Sequence, residues 1–566
     1  MYYTVGFNSE IPLPMTLQQG EYVATIPASA FAAGRLVRWY VTAEDANGAL
    51  SRQPAYNTPD DPQYLGTVIV PTNSENNTGL PTMEWFAQDP WAAQNTTGSN
   101  GTAIYFLDHF YDNVFVKRKG VTSLSWAKPK LKFKFHEKVF VWKENLDAAV
   151  HEKPVDEFDI NSLYWEPGQK SYMREHVGYE VLKEAGAPYN ANFYFILRLN
   201  NAYWGLALYV EVNNNGYLAR NNMSTDGLLF KAVSGTEANL RWDLPEDQLQ
   251  YSFKKENQKK NDSWPLLYTF SQGISGGSNE EPSLWVFDNV DLPPTIDQLA
   301  VNAMLLNQDR CTKNYLIYDS PEHFWTMISY DQKSTMAGGG TPPGAAGTFN
   351  YLVNLIMEVP ATRQMFMRRL RTLMDQFLDG GRLLQIINET YTEIKPAADY
   401  DNTVWHIGSI DDGYQALITE QLPQRKQQLY GTYGPNGSIP LIPEAQSPTV
   451  TLGLGRTQSS GNPAQQFVEI TNTNAAAVDV SSWQVSGAVT ATLQPGTVIS
   501  GGSSLILVSN LLGFAARTAS PMPGQGLQIQ QAFQGSVGAN GIIALTDTSG
   551  RNALNGIAGT TPNVAG

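Results

Sequence analysis

One cysteine, Cys311, is all the chain holds in 566 residues. That excludes intrachain disulfides and any zinc site built on cysteine thiolates. Charge is scarce too. Asp, Glu, Lys and Arg make up 16% of the chain, against roughly 25% in an average soluble protein. The formal balance is −15 at pH 7, the wrong sign for a nucleic-acid partner and for attraction to anionic lipid. No run of 18 apolar residues occurs, so no transmembrane helix is expected. Met1-Tyr2-Tyr3-Thr4-Val5-Gly6 has neither a basic region nor an apolar signal core and is strand-like from the start. We therefore expect a processed or partial form of a longer precursor. Low charge with abundant Gly, Asn, Ser and Thr suits an extracellular or cell-surface protein.

What is present is core material: 42% hydrophobic and 11% aromatic residues. The length exceeds what one core accommodates, so two or three domains are expected. Residues 1–72 read as a small immunoglobulin-like β module lacking its first strand. Tyr22-Val23-Ala24-Thr25-Ile26 and Leu36 to Ala43 alternate with period two, and Asp45-Ala46-Asn47-Gly48 closes a hairpin. A spacer is the plain reading of this module. Residues 80–434 form a mixed α+β domain, and 435–448 a Pro-containing linker. From 450 on, charge shrinks to Arg456, Glu469, Asp479, Arg517, Asp547 and Arg551, and short strands alternate with Gly/Ser/Asn turns. That pattern predicts a β-sandwich over 449–566.

Within the central domain, Lys130-Leu131-Lys132-Phe133-Lys134-Phe135 alternates strictly, with lysines on one face and apolar side chains on the other. The lysines read either as a solvated face or as carrying one phosphate contact, Lys132. Met173, Val177, Val181 and Ala185 share a helix face; Ser171 is placed to cap it, with Gly186 and Pro188 to stop it. A further helix from Leu383 is expected to end at Pro396. Asp309 has Asn314 five positions on, and Asp331 follows after two strand-like runs, Tyr315 to Tyr318 and Phe324 to Ile328. An Asp, an Asn and a second Asp in this layout match a protein-kinase centre. There one carboxylate orients the hydroxyl, while the Asn and second Asp offer magnesium hard oxygen ligands. The same spacing also occurs as ordinary surface polars at a helix end. Cys311 reads as a small buried hydrophobe rather than a nucleophile, and residues 337–344 as a flexible Gly/Pro loop.

Five pieces in order carry a resemblance. They are the strand ending near Gly120 with the Lys-rich strand after it; Ser171-Tyr172-Met173-Arg174-Glu175 opening a helix that ends Glu184-Ala185-Gly186-Ala187-Pro188; Asn200 to Glu211; Leu228-Leu229-Phe230-Lys231; and Asn307 to Tyr315 with its trailing Asp331. Together, over about residues 80–430, they resemble the CotH family, the spore-coat protein kinases and their secreted relatives. The resemblance implies a two-lobed atypical protein-kinase fold. It also implies phosphate transfer from ATP, with Mg²⁺ or Mn²⁺, to Ser/Thr of secreted or coat proteins and to the chain itself. By it, Asp309 is the catalytic acid and Asn314 and Asp331 are metal ligands. Lys132 and Glu175 form a phosphate-clamping pair, and Glu211 lies where the lobes join, near the adenine. Two departures stand out. Asn307 replaces a His often found two before the catalytic Asp, and Tyr330-Asp331-Gln332-Lys333 replaces Trp-Asp-x-Asp. Some secreted members of the family act as surface ligands, so an adhesion or structural protein retaining the fold is the alternative. A carbohydrate-processing enzyme with paired carboxylates is a third class. The C-terminal segment is similar to lamin-tail domains, for which extracellular matrix or polymer is the expected partner.

Overall fold

In the first unit Leu131–Lys134 alternates apolar and polar residues, whereas Thr82–Ala87, Asn192–Leu199 and Ala202–Glu211 are near-continuous apolar strands buried along most of their length. The computed structural model describes residues 1–70, 78–141, 154–233, 237–258, 263–275, 281–307, 312–337, 350–458, 461–531, 533–538 and 540–558. The chain divides into two units. One comprises Met1–His176, Asn190–Arg220 and Asn388–Tyr414; the other comprises Val177–Tyr189, Asn221–Ile387 and Gln415–Gly566. Helices and several sheets are mixed along the chain.

In the first unit, Leu36–Glu44 is the central strand of a small antiparallel sheet, pairing with Tyr2–Val5, Leu50–Gln53 and Leu65–Val68. The turn into Leu50–Gln53 is tied by Asp45, whose carboxylate accepts from Asn47 N and Ala49 N at 2.8 Å. This sheet is no free spacer. Leu36 and Val68 share a buried cluster with Phe86 and Ala103, and Asp112 accepts from Arg38, Gln63 N and Tyr64 N. The larger sheet has eight strands. Their order is His109–Tyr111, Thr102–Phe106, Thr82–Ala87, Asn192–Leu199, Ala202–Glu211, Glu157–Asn161, Leu131–Lys134, Phe115–Arg118. All neighbours are antiparallel except Thr82–Ala87 with Asn192–Leu199. Ser99 bridges Val116, so the sheet curls until its ends meet. The interior is aromatic: Phe133 stacks on Phe158 with centroids 4.9 Å apart, and Phe193 on Tyr209 at 4.7 Å. Truncating one such ring, as in Phe158→Ala, is expected to cost about 3–5 kcal/mol.

The helix Arg174–Ala185 begins where expected, but its cap is different. The Glu166 carboxylate accepts from Ser171 N at 2.7 Å, Ser171 Oγ at 2.8 Å, Tyr172 N at 3.1 Å and Arg174 N at 3.2 Å. A buried anion at a helix N-terminus satisfies several orphan donors at once and complements the dipole. Ser171 adds one bond, accepting from Met173 N at 3.2 Å. At the other end Gly186 takes φ +90°, with Gly186 N donating to Lys183 O and Ala187 N to Leu182 O, the glycine-dependent stop. The expected end at Pro396 is corrected: one helix runs Arg382–Trp405 through that proline. Pro396 forfeits one backbone bond, but Ala397, Ala398 and Asp401 beyond it are buried. Asp401 reaches Lys128, which is wholly buried: Nζ lies 2.8 Å from both carboxylate oxygens and 2.6 Å from Leu206 O.

The second unit holds a four-stranded antiparallel sheet in the order Phe253–Lys255, Leu228–Ala232, Tyr315–Asp319, Trp325–Ser329. The helix Leu292–Met304, buried along nearly its whole length, packs between this sheet and the helix Pro360–Leu373. Its Asp297 is bound by Arg369 at 2.7 Å, and Arg369 also reaches Asp479 at 3.2 Å and Ala185 O at 2.9 Å. Beyond residue 450, strands Gly453–Thr457, Phe467–Thr471, Ser504–Val508 and Gln528–Gln531 form one sheet. Strands Gln534–Gly535, Val489–Thr492, Gln484–Gly487, Ile542–Thr546 and Asn552–Ile557 form another. Val468, Ile470, Leu505 and Leu507 from the first share a core with Val485, Ile543, Leu545 and Leu554 from the second.

Candidate active site

The hairpin Tyr315–Asp319/Trp325–Ser329 pairs Tyr315 with Ser329. Asn314 and Tyr330 are therefore the next opposed positions, and Tyr330 N donates to Asn314 O at 3.3 Å. Asp331 follows at once. One end of one hairpin thus carries both Asn314 and Asp331. Each has left-handed backbone, φ +58° and +61°, a conformation that Asn and Asp tolerate better than other side chains. Asn314 is buried, and its Nδ2 has no hydrogen-bond partner among the described residues. Asp331 Oδ2 lies 2.7 Å from Lys333 Nζ, and Asp331 N lies 3.3 Å from Tyr179 Oη. The Lys231 ammonium stands over the Tyr330 ring at 4.0 Å.

The loop bearing Asp331 is anchored from beneath. Gln332 is fully buried. Its Nε2 donates to Ser329 Oγ at 2.7 Å and reaches Asn302 Oδ1 at 3.4 Å, while its Oε1 accepts from Asn307 Nδ2 at 3.0 Å. Met336 N donates to Leu305 O at 2.7 Å. The helix passes so close at Gly178 that a Cβ there would lie 2.6 Å from Gln332 Cβ. These supporting residues were missed. The only signal was two asparagines, Asn302 and Asn307, within an apolar helical run, where a polar side chain needs a buried partner. The two departures from the family pattern meet here, since Asn307 stands for His and bonds Gln332 of the Tyr-Asp-Gln-Lys segment.

Asp309 and Cys311 lie outside the described residues, as does the Gly/Pro loop from Gly338. Among the described residues no group of three or more His, Cys, Asp or Glu is placed to hold a metal.

The first unit holds the other three. Lys132 faces Asp159 across the strand pair; its Nζ lies 2.9 Å from Glu157 and 3.9 Å from Asp159, and Lys119 pairs with Asp159 as well. Glu175 accepts from Asn161, two residues beyond Asp159 on the same strand and so on the same sheet face. Lys132 and Glu175 thus share a sheet face, with Glu157 and Asp159 among the partners of the first and Asn161 among those of the second. Glu211 ends its strand bound by Arg220, with Nη2 at 2.6 Å and Nε at 2.9 and 3.0 Å, and by Ala191 N at 3.0 Å. Its carboxylate is occupied in bracing the Asn190–Arg220 segment.

No helix among the described residues is long and apolar enough to cross a membrane. No curated protein matches the chain. The sequence profile described as CotH kinase protein matches residues 116–427, more than half of the 566, and that family supports a kinase-type enzyme. The hairpin with Asn314 and Asp331, the Lys-bearing strand and the Glu175 helix all fall inside the matched span, and the chain belongs to the CotH kinase protein family.

Proposed function

We propose that the chain is an ATP-dependent protein kinase that phosphorylates Ser/Thr of secreted or coat proteins and also itself. The observation that carries this reading is the placement of Asn314 and Asp331 at one hairpin end, with the Asn314 side chain buried there. A carboxamide oxygen and a carboxylate suit Mg²⁺ or Mn²⁺, hard cations that favour oxygen ligands. When bound, the cation would neutralise charge on the nucleotide phosphates.

The chain's own residues have distinct parts in this reading. Asn314 and Asp331 hold the cation, and Gln332 with Asn307 fixes the loop that presents Asp331. Lys333 screens the Asp331 charge. Asp309 orients the hydroxyl that is to be phosphorylated. Lys132, steadied by Glu157 and Asp159, faces the nucleotide phosphates, and Glu175 orders that sheet face through Asn161. Glu211 and Arg220 brace the strand end proposed to lie near the adenine. The two-lobed kinase fold and the immunoglobulin-like character of 1–72 belong to the same proposal, as do the lamin-tail character of 449–566 and an extracellular or surface location with matrix or polymer partners. All rest on sequence resemblance.

The Lys333–Asp331 pair favours a second reading, an adhesion or structural protein that keeps the fold without turnover. Radiolabelled ATP with Mn²⁺ or Mg²⁺ separates the two, comparing the wild type with Asp309→Ala and Asp331→Ala. Label on the wild type alone is the expected result. Equal label on all three ends the kinase reading, and nucleotide binding without transfer selects the adhesion reading.

A further inference from the structure

Within the second unit lies a cavity of about 590 Å³. It is walled by residues of the family-matched span, Asp291, Tyr318, Glu322 and Phe324 among them, and by Gln494 and Gln530 beyond that span. It shares no residue with the Asn314–Asp331 hairpin end. Its polar equipment is lopsided. No lysine or arginine is among the described residues that line it.

Asp291 precedes the helix Leu292–Met304, yet its side chain caps nothing. Its backbone N–H is used by Trp325 O at 2.9 Å, and its carboxyl has no hydrogen-bond or ionic partner among the described residues. Desolvation, with no counter-charge among the described residues, pushes that carboxyl up to about 7. Gln530 is 3% exposed. Its Oε1 lies 3.5 Å from Thr497 Oγ1, and its Nε2 is buried with no partner among the described residues. Gln494 Oε1 is likewise buried and unsatisfied. Buried polar groups are almost always partnered, so the Gln494 and Gln530 atoms, with the half-buried Asp291 carboxyl on the same wall, describe the ligand that would satisfy them. It must bring positive charge and donors to Asp291 and Gln494, and an acceptor to Gln530. Two carboxylates, Asp291 and Glu322, with no lysine or arginine among the described lining residues, oppose phosphate, nucleotide and other anions. Tyr318 and Phe324 supply flat apolar surface for a ring, the usual partner of placed polar groups in a small-molecule site.

We propose that this cavity binds a small hydroxylated primary amine of the amino-sugar class, its ammonium at Asp291 and its hydroxyl groups at Gln494 and Gln530. The site stands whether or not the chain is a kinase. Because residues on both sides of the matched span's end wall it, the C-terminal β region contributes to recognition rather than serving only as an appendage.

The test is isothermal titration of the full chain at pH 7 with glucosamine, glucose and glucose 6-phosphate. Glucosamine is expected to bind at least tenfold more tightly than glucose, and the phosphate not at all. Asp291→Asn, which disturbs no cap, is expected to lower glucosamine affinity at least tenfold with an unchanged melting temperature. Gln530→Ala should weaken both sugars alike, and it decides the matter should Asp291→Asn fail to fold. Absence of glucosamine binding, equal binding of glucose, binding of the phosphate, or indifference to both substitutions overturns the proposal.

Discussion

Replacing Lys333 by Ala should tighten divalent-cation binding. Lys333 Nζ sits 2.7 Å from Asp331 Oδ2, and both side chains are partly solvated, at 21% and 16% exposure. A cation taken up by Asp331 would displace the ammonium by about one side-chain width, to roughly 5 Å. At about 5 Å, a unit charge and a divalent ion repel by roughly 1.5–3 kcal/mol, taking the dielectric between half that of water and water itself. Removing that repulsion corresponds to an affinity gain of roughly tenfold to hundredfold, smaller at high salt. Lys333→Asp, which restores an acid two residues beyond Asp331, should gain more. The assay is Mn²⁺ titration followed by electron paramagnetic resonance, with Asp331→Ala as the variant that abolishes binding. The expected order of affinity is Lys333→Asp, Lys333→Ala, wild type. A wild type that binds Mn²⁺ as tightly as Lys333→Ala would refute the claim that Lys333 and the cation compete for Asp331.

Two further outcomes concern buried charge. Arg369→Met strands Asp297 and Asp479 and should cost about 3–5 kcal/mol of stability. Burial already raises the Asp297 carboxyl to about 6, with Arg369 opposing the rise, against an unfolded value of about 3.9. A raised carboxyl binds its proton more tightly when folded, so its stabilising contribution is greatest at low pH and is lost as pH rises through the folded value. The penalty of Arg369→Met should therefore be smaller at pH 5 than at pH 8 in urea-denaturation midpoints, and equal penalties would count against it. Lys128→Met should cost a similar amount, about 3–5 kcal/mol, because it leaves the Asp401 carboxylate buried without its cation. Adding Asp401→Asn should recover part of the loss in a double-mutant cycle, and strict additivity would show that the pair is not coupled.

Local features are legible in the sequence. The alternation at Leu131 to Phe135 placed Leu131, Phe133 and Phe135 in the aromatic core. The 3.6-residue period with Gly186 and Pro188 located a helix, and two strand-like runs between Asn314 and Asp331 implied a hairpin that brings them to one end. Each depends on residues a few positions apart. The Glu166 cap was not legible, because a carboxylate five residues before the expected cap carries no fixed spacing. The run through Pro396 was not legible either, since the proline's local cost was outweighed by burial of Ala397, Ala398 and Asp401.

By itself the amino-acid order determined where strands and helices begin, which of their faces turn inward, and which family's motifs the chain carries, because backbone period and turn chemistry act over a handful of residues. Only the tertiary structure decided which polar groups meet. Lys128 finds Asp401, 273 positions away, Gln332 finds Asn307, Lys333 rather than a second acid faces Asp331, and Asp291 is left on a cavity wall without a counter-charge among the described residues. Such pairings follow from which surfaces are removed from water together, and that is a property of the assembled core with no periodic trace in the chain.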